Sequence, residues 1–257
     1  MFPVYQRMAT AGAVLSLILV AAGMPSAVAT SRDLQWRTGG DPRACSAPTW
    51  GKDMPAAGPG NGRRVVVIGD SLTRESRSSL EKLLRTSGWN PTVRCFGGKR
   101  LDWAQAQVRE QRKWKGLPST VIIAIGTNDM RWISRDVTLA RIKSLLHQLG
   151  ADRQVLWVNT FGGNGEQFSK SKQRWFNDTL ARLAATRPHL TVVPWDQIAR
   201  REKIRLSSPI HYTKPGYQLR SEATVNALNS AYGRVPPPPA ALVDGELTAT
   251  RRIQSAA

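Results

Sequence analysis

The sequence predicts an α/β fold: a five-stranded parallel sheet with helices on both faces. Three observations carry this. Short runs rich in β-branched residues alternate with longer amphipathic stretches, the pattern of strand–helix–strand units. One of the runs, Val121-Ile122-Ile123-Ala124-Ile125, is apolar throughout. The chain is 257 residues long and has no internal period, so a single core is expected rather than a repeat array.

Residues 30–62 are rich in Gly, Pro, Asp and Ala with little periodicity, which suits an irregular N-terminal arm. The domain proper is expected over residues 63–233. Its first strand is 64–69, followed by helical spacing over 75–87, a second strand at 92–96 and a helix at 103–114. The third strand is 120–125. Residues 135–149 read as a helix with Val137, Leu139, Ile142, Leu145 and Leu146 on its buried side, and Gly150 stops it. A fourth strand at 154–161, a long helix at 166–186, a fifth strand at 190–194 and a last helix at 215–232 complete the pattern. Four prolines, Pro236 to Pro239, then force an extended exit, and residues 234–257 have no apolar face to bury, so a mobile Pro-rich tail is expected there.

Residues 1–29 read as a secretory signal peptide. Arg7 supplies the positive end, Ala11 to Ala22 the mostly apolar run, and Ala27-Val28-Ala29 the small residues a peptidase cleaves after. The competing reading, an uncleaved anchor, needs roughly 20 apolar residues, more than this run offers. A secreted, wall-associated or periplasmic protein is expected. Export makes a disulfide between the only two cysteines, Cys45 and Cys95, the natural expectation, and it would staple the arm to the core. Neither cysteine has a second cysteine or a histidine at ligand spacing, and the chain has three histidines, so no metal is expected.

The formal net charge is +19, and loss of residues 1–29 removes one arginine and no acid, leaving +18. Such a protein is drawn to polyanions. The basic residues are spread along the chain (Arg63, Arg74, Arg94, Lys99, Arg141, Arg174, Arg200) without a nucleic-acid motif, so acidic wall polymers or a membrane surface fit an exported chain better than nucleic acid. A generally basic surface with no dedicated partner explains the charge equally well. A monomer is expected.

In open parallel sheets, ligands bind outside the carboxyl ends of the strands, and three of those ends are chemically loaded. The first strand runs into Gly69-Asp70-Ser71-Leu72-Thr73, placing a serine hydroxyl where strand gives way to helix. This differs from the nucleophile elbow in which two glycines flank the serine, and alone it reads equally as a turn or helix cap. The second strand ends in Gly97-Gly98, where a backbone N–H can approach a ligand unobstructed. The third ends in Gly126-Thr127-Asn128-Asp129, whose Asn128 amide can donate to an oxyanion, or can equally be a turn residue. After the last strand, Ser208-Pro209-Ile210-His211-Tyr212-Thr213-Lys214-Pro215-Gly216-Tyr217 delivers a histidine to the start of the final helix. His147, inside an amphipathic helix, and His189, in a turn after Arg187-Pro188, are poor competitors.

These four blocks, in this order over residues 64–232, resemble the SGNH (GDSL) hydrolase family. The resemblance implies a flavodoxin-like three-layer sandwich, ester substrates and no cofactor. Carried over, Ser71 is the nucleophile and His211 its base. The oxyanion hole is the Ser71 N–H, the Gly98 N–H (chosen over Gly97) and the Asn128 side chain. One position departs from the family pattern: the aspartate usual three residues before the histidine is Ser208 here. A carboxylate in that place fixes the imidazole tautomer, and its loss to an amide in a serine protease costs about 10⁴ in turnover. A backbone carbonyl at position 208 can serve instead, or Asp196 after the fifth strand, or the site has decayed. The implied function is a secreted serine esterase acting on small esters or acetylated wall polysaccharide, with short acyl groups preferred because no amphipathic lid separates the blocks. The alternatives are a silent carbohydrate- or wall-binding domain and an O-acyltransferase. Retention of Ser71, Asn128 and His211 together argues against decay.

Overall fold

The structure, a computed structural model, describes Cys45 and residues 63–163 and 168–233. The expected signal peptide, the rest of the arm and the Pro-rich tail lie outside the described residues.

Five strands, β1 (Arg63–Gly69), β2 (Trp89–Cys95), β3 (Thr120–Ala124), β4 (Gln154–Val158) and β5 (Leu190–Val193), form one sheet in the order β2-β1-β3-β4-β5. Every pair is parallel. Among the described residues seven helices accompany them: α1 (Ser71–Thr86), α2 (Leu101–Lys115), α3 (Thr127–Trp132), α4 (Arg135–Leu149), α5 (Lys170–Ala185), α6 (Trp195–Arg201) and α7 (Lys214–Tyr232). This is the expected three-layer α/β sandwich with a flavodoxin-like strand order.

The apolar strands explain the layers. Successive side chains point to opposite faces. Val66 and Ile68 therefore join the core that α2, α4 and α5 cover, whereas Val65 and Val67 join the one under α1, α6 and α7. Val65 through Ile68 are wholly buried, each such side chain contributing roughly 1.5–3 kcal/mol of apolar transfer. Both faces must be covered, so the crossovers are helical and the strands parallel.

The order in which strands are added to the sheet reverses between β1 and β3, opening the crevice where such sheets bind ligands. Register sets the level of that crevice: Gly69 at the end of β1 lies opposite both Cys95 of β2 and Ala124 of β3. The three loaded loops therefore emerge side by side.

Several elements differ from expectation. Helix α1 begins at Ser71 rather than Glu75, because the Asp70 side chain caps it by accepting from the Leu72 N–H at 3.0 Å. Strand β2 begins at Trp89 and includes Pro91, which an edge strand tolerates because one side of it needs no donor. Helix α5 starts at Lys170, capped by Ser169. Helices α3 and α6 were not expected, each being too short to display a period. Val137 is 46% exposed rather than buried, because the inward stripe of α4 is Thr138, Ile142, Leu145 and Leu149 at helical spacing, and Val137 lies about 100° off it.

Cys45 and Cys95 form the expected disulfide, with Cα atoms 5.2 Å apart. The Cys45 N–H donates to the Cys95 carbonyl at 3.0 Å, and Arg77 of α1 donates to the Cys45 carbonyl. Among the described residues no helix is long and apolar enough to cross a membrane.

Candidate active site

At the end of β1 the backbone packs so closely on α1 that a Cβ at Gly69 would stand 2.0 Å from Thr73 Oγ1. Only glycine fits, and the tight turn it permits brings Ser71 to the first position of α1. There the Ser71 N–H has no partner within the helix and points out of its N-terminus. Ser71 is buried at the floor of the crevice, 7% exposed.

His211 arrives on a loop held from both sides. Leu206 and Tyr212 form a β-bridge, and the Ser207 N–H donates to the His211 carbonyl at 2.9 Å. Tyr212 is buried, accepts from Trp195 Nε1 at 2.9 Å and donates to the Phe161 carbonyl at 2.8 Å. Burial raises the Tyr212 phenol well above its usual pKa, so it acts as a neutral anchor. The result is a direct contact: His211 Nε2 lies 3.0 Å from Ser71 Oγ.

On the far side of the ring, His211 Nδ1 lies 2.9 Å from Ser208 Oγ, which also accepts from the His211 backbone N–H at 3.1 Å. The group facing Nδ1 is thus the Ser208 hydroxyl, in place of the carbonyl weighed from the sequence. Asp196 is not brought to the imidazole. It accepts from Asn159 Nδ2 at 2.6 Å, and its N–H donates to Asn159 Oδ1 at 2.9 Å, a closed pairing that joins β4 to α6. The pKa of His211 is lowered from the ordinary 6.5, chiefly by burial; the Glu75 carboxylate opposes this and the Arg74 guanidinium adds to it.

Asn128 is buried in the first turn of α3, and its Nδ2 donates to the Lys99 carbonyl at 2.9 Å. That bond uses one amide hydrogen and leaves the other for a ligand. It also ties the loop after β3 to the loop after β2 that carries Gly97 and Gly98. Gly98 has φ +76°, a left-handed conformation that glycine adopts without strain, and it is exposed. Gly126 before α3 has φ +136°, and a Cβ there would meet the Phe176 ring at 2.2 Å.

Asp129 is a residue whose role the sequence did not disclose. It accepts from the Leu101 N–H at 2.9 Å, so it caps α2 from another element, and from Arg141 of α4 at 3.2 Å. Burial pushes its carboxyl up to about 6 despite those bonds. A turn signal four residues long could not reveal this, since its partners lie 12 and 28 positions away.

Ser71 Oγ, the His211 imidazole and the Ser208 hydroxyl thus form one hydrogen-bonded chain, with Gly98 and Asn128 on neighbouring loops. Residues 67–219 match the GDSL-like lipase/acylhydrolase family, and the chain belongs to it. No curated protein matches the chain. Among solved structures it is similar to the C-terminal catalytic domain of peptidoglycan O-acetyltransferase A from Streptococcus pneumoniae, at 20% identity and TM-score 0.58 over 68% of this chain and 98% of that one. It is also similar to a member of the lipolytic G-D-S-L family from Veillonella parvula, at 15% identity and TM-score 0.55 over 63% and 96%. A third is a catalytic mutant of an acetylxylan esterase from Geobacillus stearothermophilus, at 15% identity and TM-score 0.54 over 66% and 95%. At these identities the likeness is one of fold.

Proposed function

We propose that the protein is a secreted serine esterase that hydrolyses short acyl esters, acetyl groups on wall polysaccharide among them. The observation that carries this reading is the 3.0 Å contact between Ser71 Oγ and His211 Nε2, with Nδ1 engaged by Ser208. Ser71 Oγ attacks the ester carbonyl while Nε2 takes its proton. The oxyanion rests on the Ser71 N–H, the Gly98 N–H and Asn128 Nδ2. As the tetrahedral species collapses, the imidazolium returns the proton to the leaving alkoxide, and the acyl group stays on Ser71. Water, deprotonated by His211, then attacks the acyl carbonyl, and as the second tetrahedral species collapses the imidazolium returns the proton to Ser71 Oγ and the carboxylic acid leaves. Every step uses groups of this chain and needs no cofactor. The signal-like residues 1–29, the disulfide and the positive charge support an exported location and acidic surroundings.

The test is turnover of p-nitrophenyl acetate by the purified full chain beside Ser71→Ala and His211→Ala. Activity abolished in both variants supports the reading. Activity no higher than that of Ser71→Ala, with a fluorophosphonate probe also failing to label Ser71, would replace it with a wall-binding domain.

A further inference from the structure

We propose that the groove between α1 and α7 is a subsite for the sugar chain of an acetylated polysaccharide, a reading that rests on the esterase activity above. The groove has a volume of about 840 Å³, within the range of ligand sites and far larger than an acetyl group fills. Its two walls are carried by the elements that follow the two catalytic groups, starting at Glu75, one helical turn beyond Ser71, and at Tyr212, next to His211. On α1, Glu75, Ser78 and Lys82 line it, and with Ser71 they fall at intervals of four, three and four residues, one face of the helix. The opposite wall is Lys214, Pro215 and Gln218, which continue directly from the His211 loop. From Glu75 to Lys82 the groove follows α1 for about 10 Å, enough for a short run of linked sugar rings.

The chemistry of the step places the sugar on this side. The leaving alkoxide takes its proton from His211 Nε2, so the alcohol part of the ester lies toward the His211 loop. Gly98 and Asn128, which hold the carbonyl oxygen, belong to loops that enter α2 and α3 over the other core. The acyl group and the sugar therefore leave Ser71 in different directions, and the groove lies on the sugar's path. Its lining suits that occupant. A serine hydroxyl, an amide and charges of both signs offer donors and acceptors to sugar hydroxyls, while the exposed Pro215 offers a ring surface to their C–H faces. A nucleic acid would call for cations without Glu75.

The experiment compares wild-type full chain with Ser78→Trp, which fills the groove, and with Gln218→Ala, an exposed truncation that keeps the test readable if the tryptophan is not tolerated. Substrates are acetylated xylan, O-acetylated peptidoglycan and p-nitrophenyl acetate. We expect kcat/KM for at least one polymer, relative to that for p-nitrophenyl acetate, to fall by about fivefold or more, mainly through KM. A ratio within about twofold of wild type for both polymers in both variants would overturn the subsite. The two acetylated polymers separate a plant-type from a wall-type glycan. If wild type fails on p-nitrophenyl acetate, the esterase reading fails separately. Retardation of Ser71→Ala protein by deacetylated polymer in a gel, lost on adding Ser78→Trp, still reads the groove, and no retardation overturns it.

Discussion

The Ser208 hydroxyl faces His211 Nδ1 at 2.9 Å while accepting from the backbone N–H of the same histidine at 3.1 Å. An oxygen that already accepts one N–H has a lone pair left for another and a hydroxyl hydrogen free to turn away. Acceptance from Nδ1–H puts the proton on Nδ1 and leaves Nε2 bare toward Ser71, the tautomer a general base requires. In the proposed mechanism a neutral hydroxyl would do the orienting part of a carboxylate's work, without the charge that would stabilise the imidazolium.

The separation of those two roles is testable. Ser208→Ala removes both hydrogen bonds of the hydroxyl, and loss of the one to Nδ1, worth about 1.4 kcal/mol, should lower kcat/KM for p-nitrophenyl acetate about tenfold. The base must be neutral to act, and burial holds the pKa of His211 below 6.5, so the acid limb of the wild-type pH–rate profile should lie below that value. Ser208→Asp adds a negative charge, favours the imidazolium and should move the limb to higher pH. A limb that stays put in Ser208→Asp would show that position 208 does not address the imidazole.

Much of the site was legible because each key residue follows a strand or opens a helix. Ser71 after Val65-Val66-Val67-Ile68 and Asn128 after Val121 to Ile125 needed only the strand ends to be found, and parallel register then aligned them. His211 stood out for lack of competitors. What escaped was set by contacts distant in sequence. Asp196 looked like a candidate for His211 because it follows β5, but Asn159, 37 residues earlier, holds it. Helix α3 read as a turn because Gly126-Thr127-Asn128-Asp129 carries turn residues, and its helical form depends on Asp129 reaching Arg141 and α2. Whether the hydroxyl or the carbonyl of Ser208 meets the imidazole is a matter of loop rotation that no residue pattern encodes.

Asn128 donates one amide hydrogen to Lys99 and is thereby aimed before any substrate arrives. Preorganised donors of this kind act on the charge that develops in the transition state. Asn128→Ala should therefore lower kcat for p-nitrophenyl acetate by roughly 10² to 10³ with KM little moved. An equal rise in KM with kcat retained would assign Asn128 to ground-state binding instead.

The Cys45–Cys95 bond closes a loop with a sequence separation of 50 and fastens the arm to the end of β2, beside the loop that carries Gly98. On chain entropy such a closure is worth about 4 kcal/mol. A Cys45→Ser/Cys95→Ser double variant should lose about 10 °C in Tm by calorimetry, taking roughly 2–4 °C per kcal/mol for a domain of this size. The same shift should appear when wild type is reduced, and none when the double variant is. A wild-type Tm indifferent to reductant would mean that the bond contributes no stability.

Asp70 pairs a structural duty with an electrostatic cost. One oxygen caps α1 through the Leu72 N–H, and the other, Oδ2, has no hydrogen-bond partner among the described residues. Burial, opposed by the Arg220 guanidinium, pushes its carboxyl from 3.8 up to about 6. The sign follows from proton counting. Between those values the folded chain holds a proton that the unfolded chain has lost, so stability falls as pH rises through the window, and the full cost is present above pH 6. Asp70→Asn keeps an oxygen for the cap and removes the titration. Relative to wild type, the variant should gain on the order of 2 to 3 kcal/mol between pH 4 and pH 7, whatever the offset at pH 4. Asp129, also raised, repels the Asp70 carboxylate, so the difference between the two proteins includes that coupling as well as the titration of Asp70 itself. Urea melts of both proteins at the two pH values would read it, and a difference independent of pH would show that Asp70 is not the group that titrates in this range.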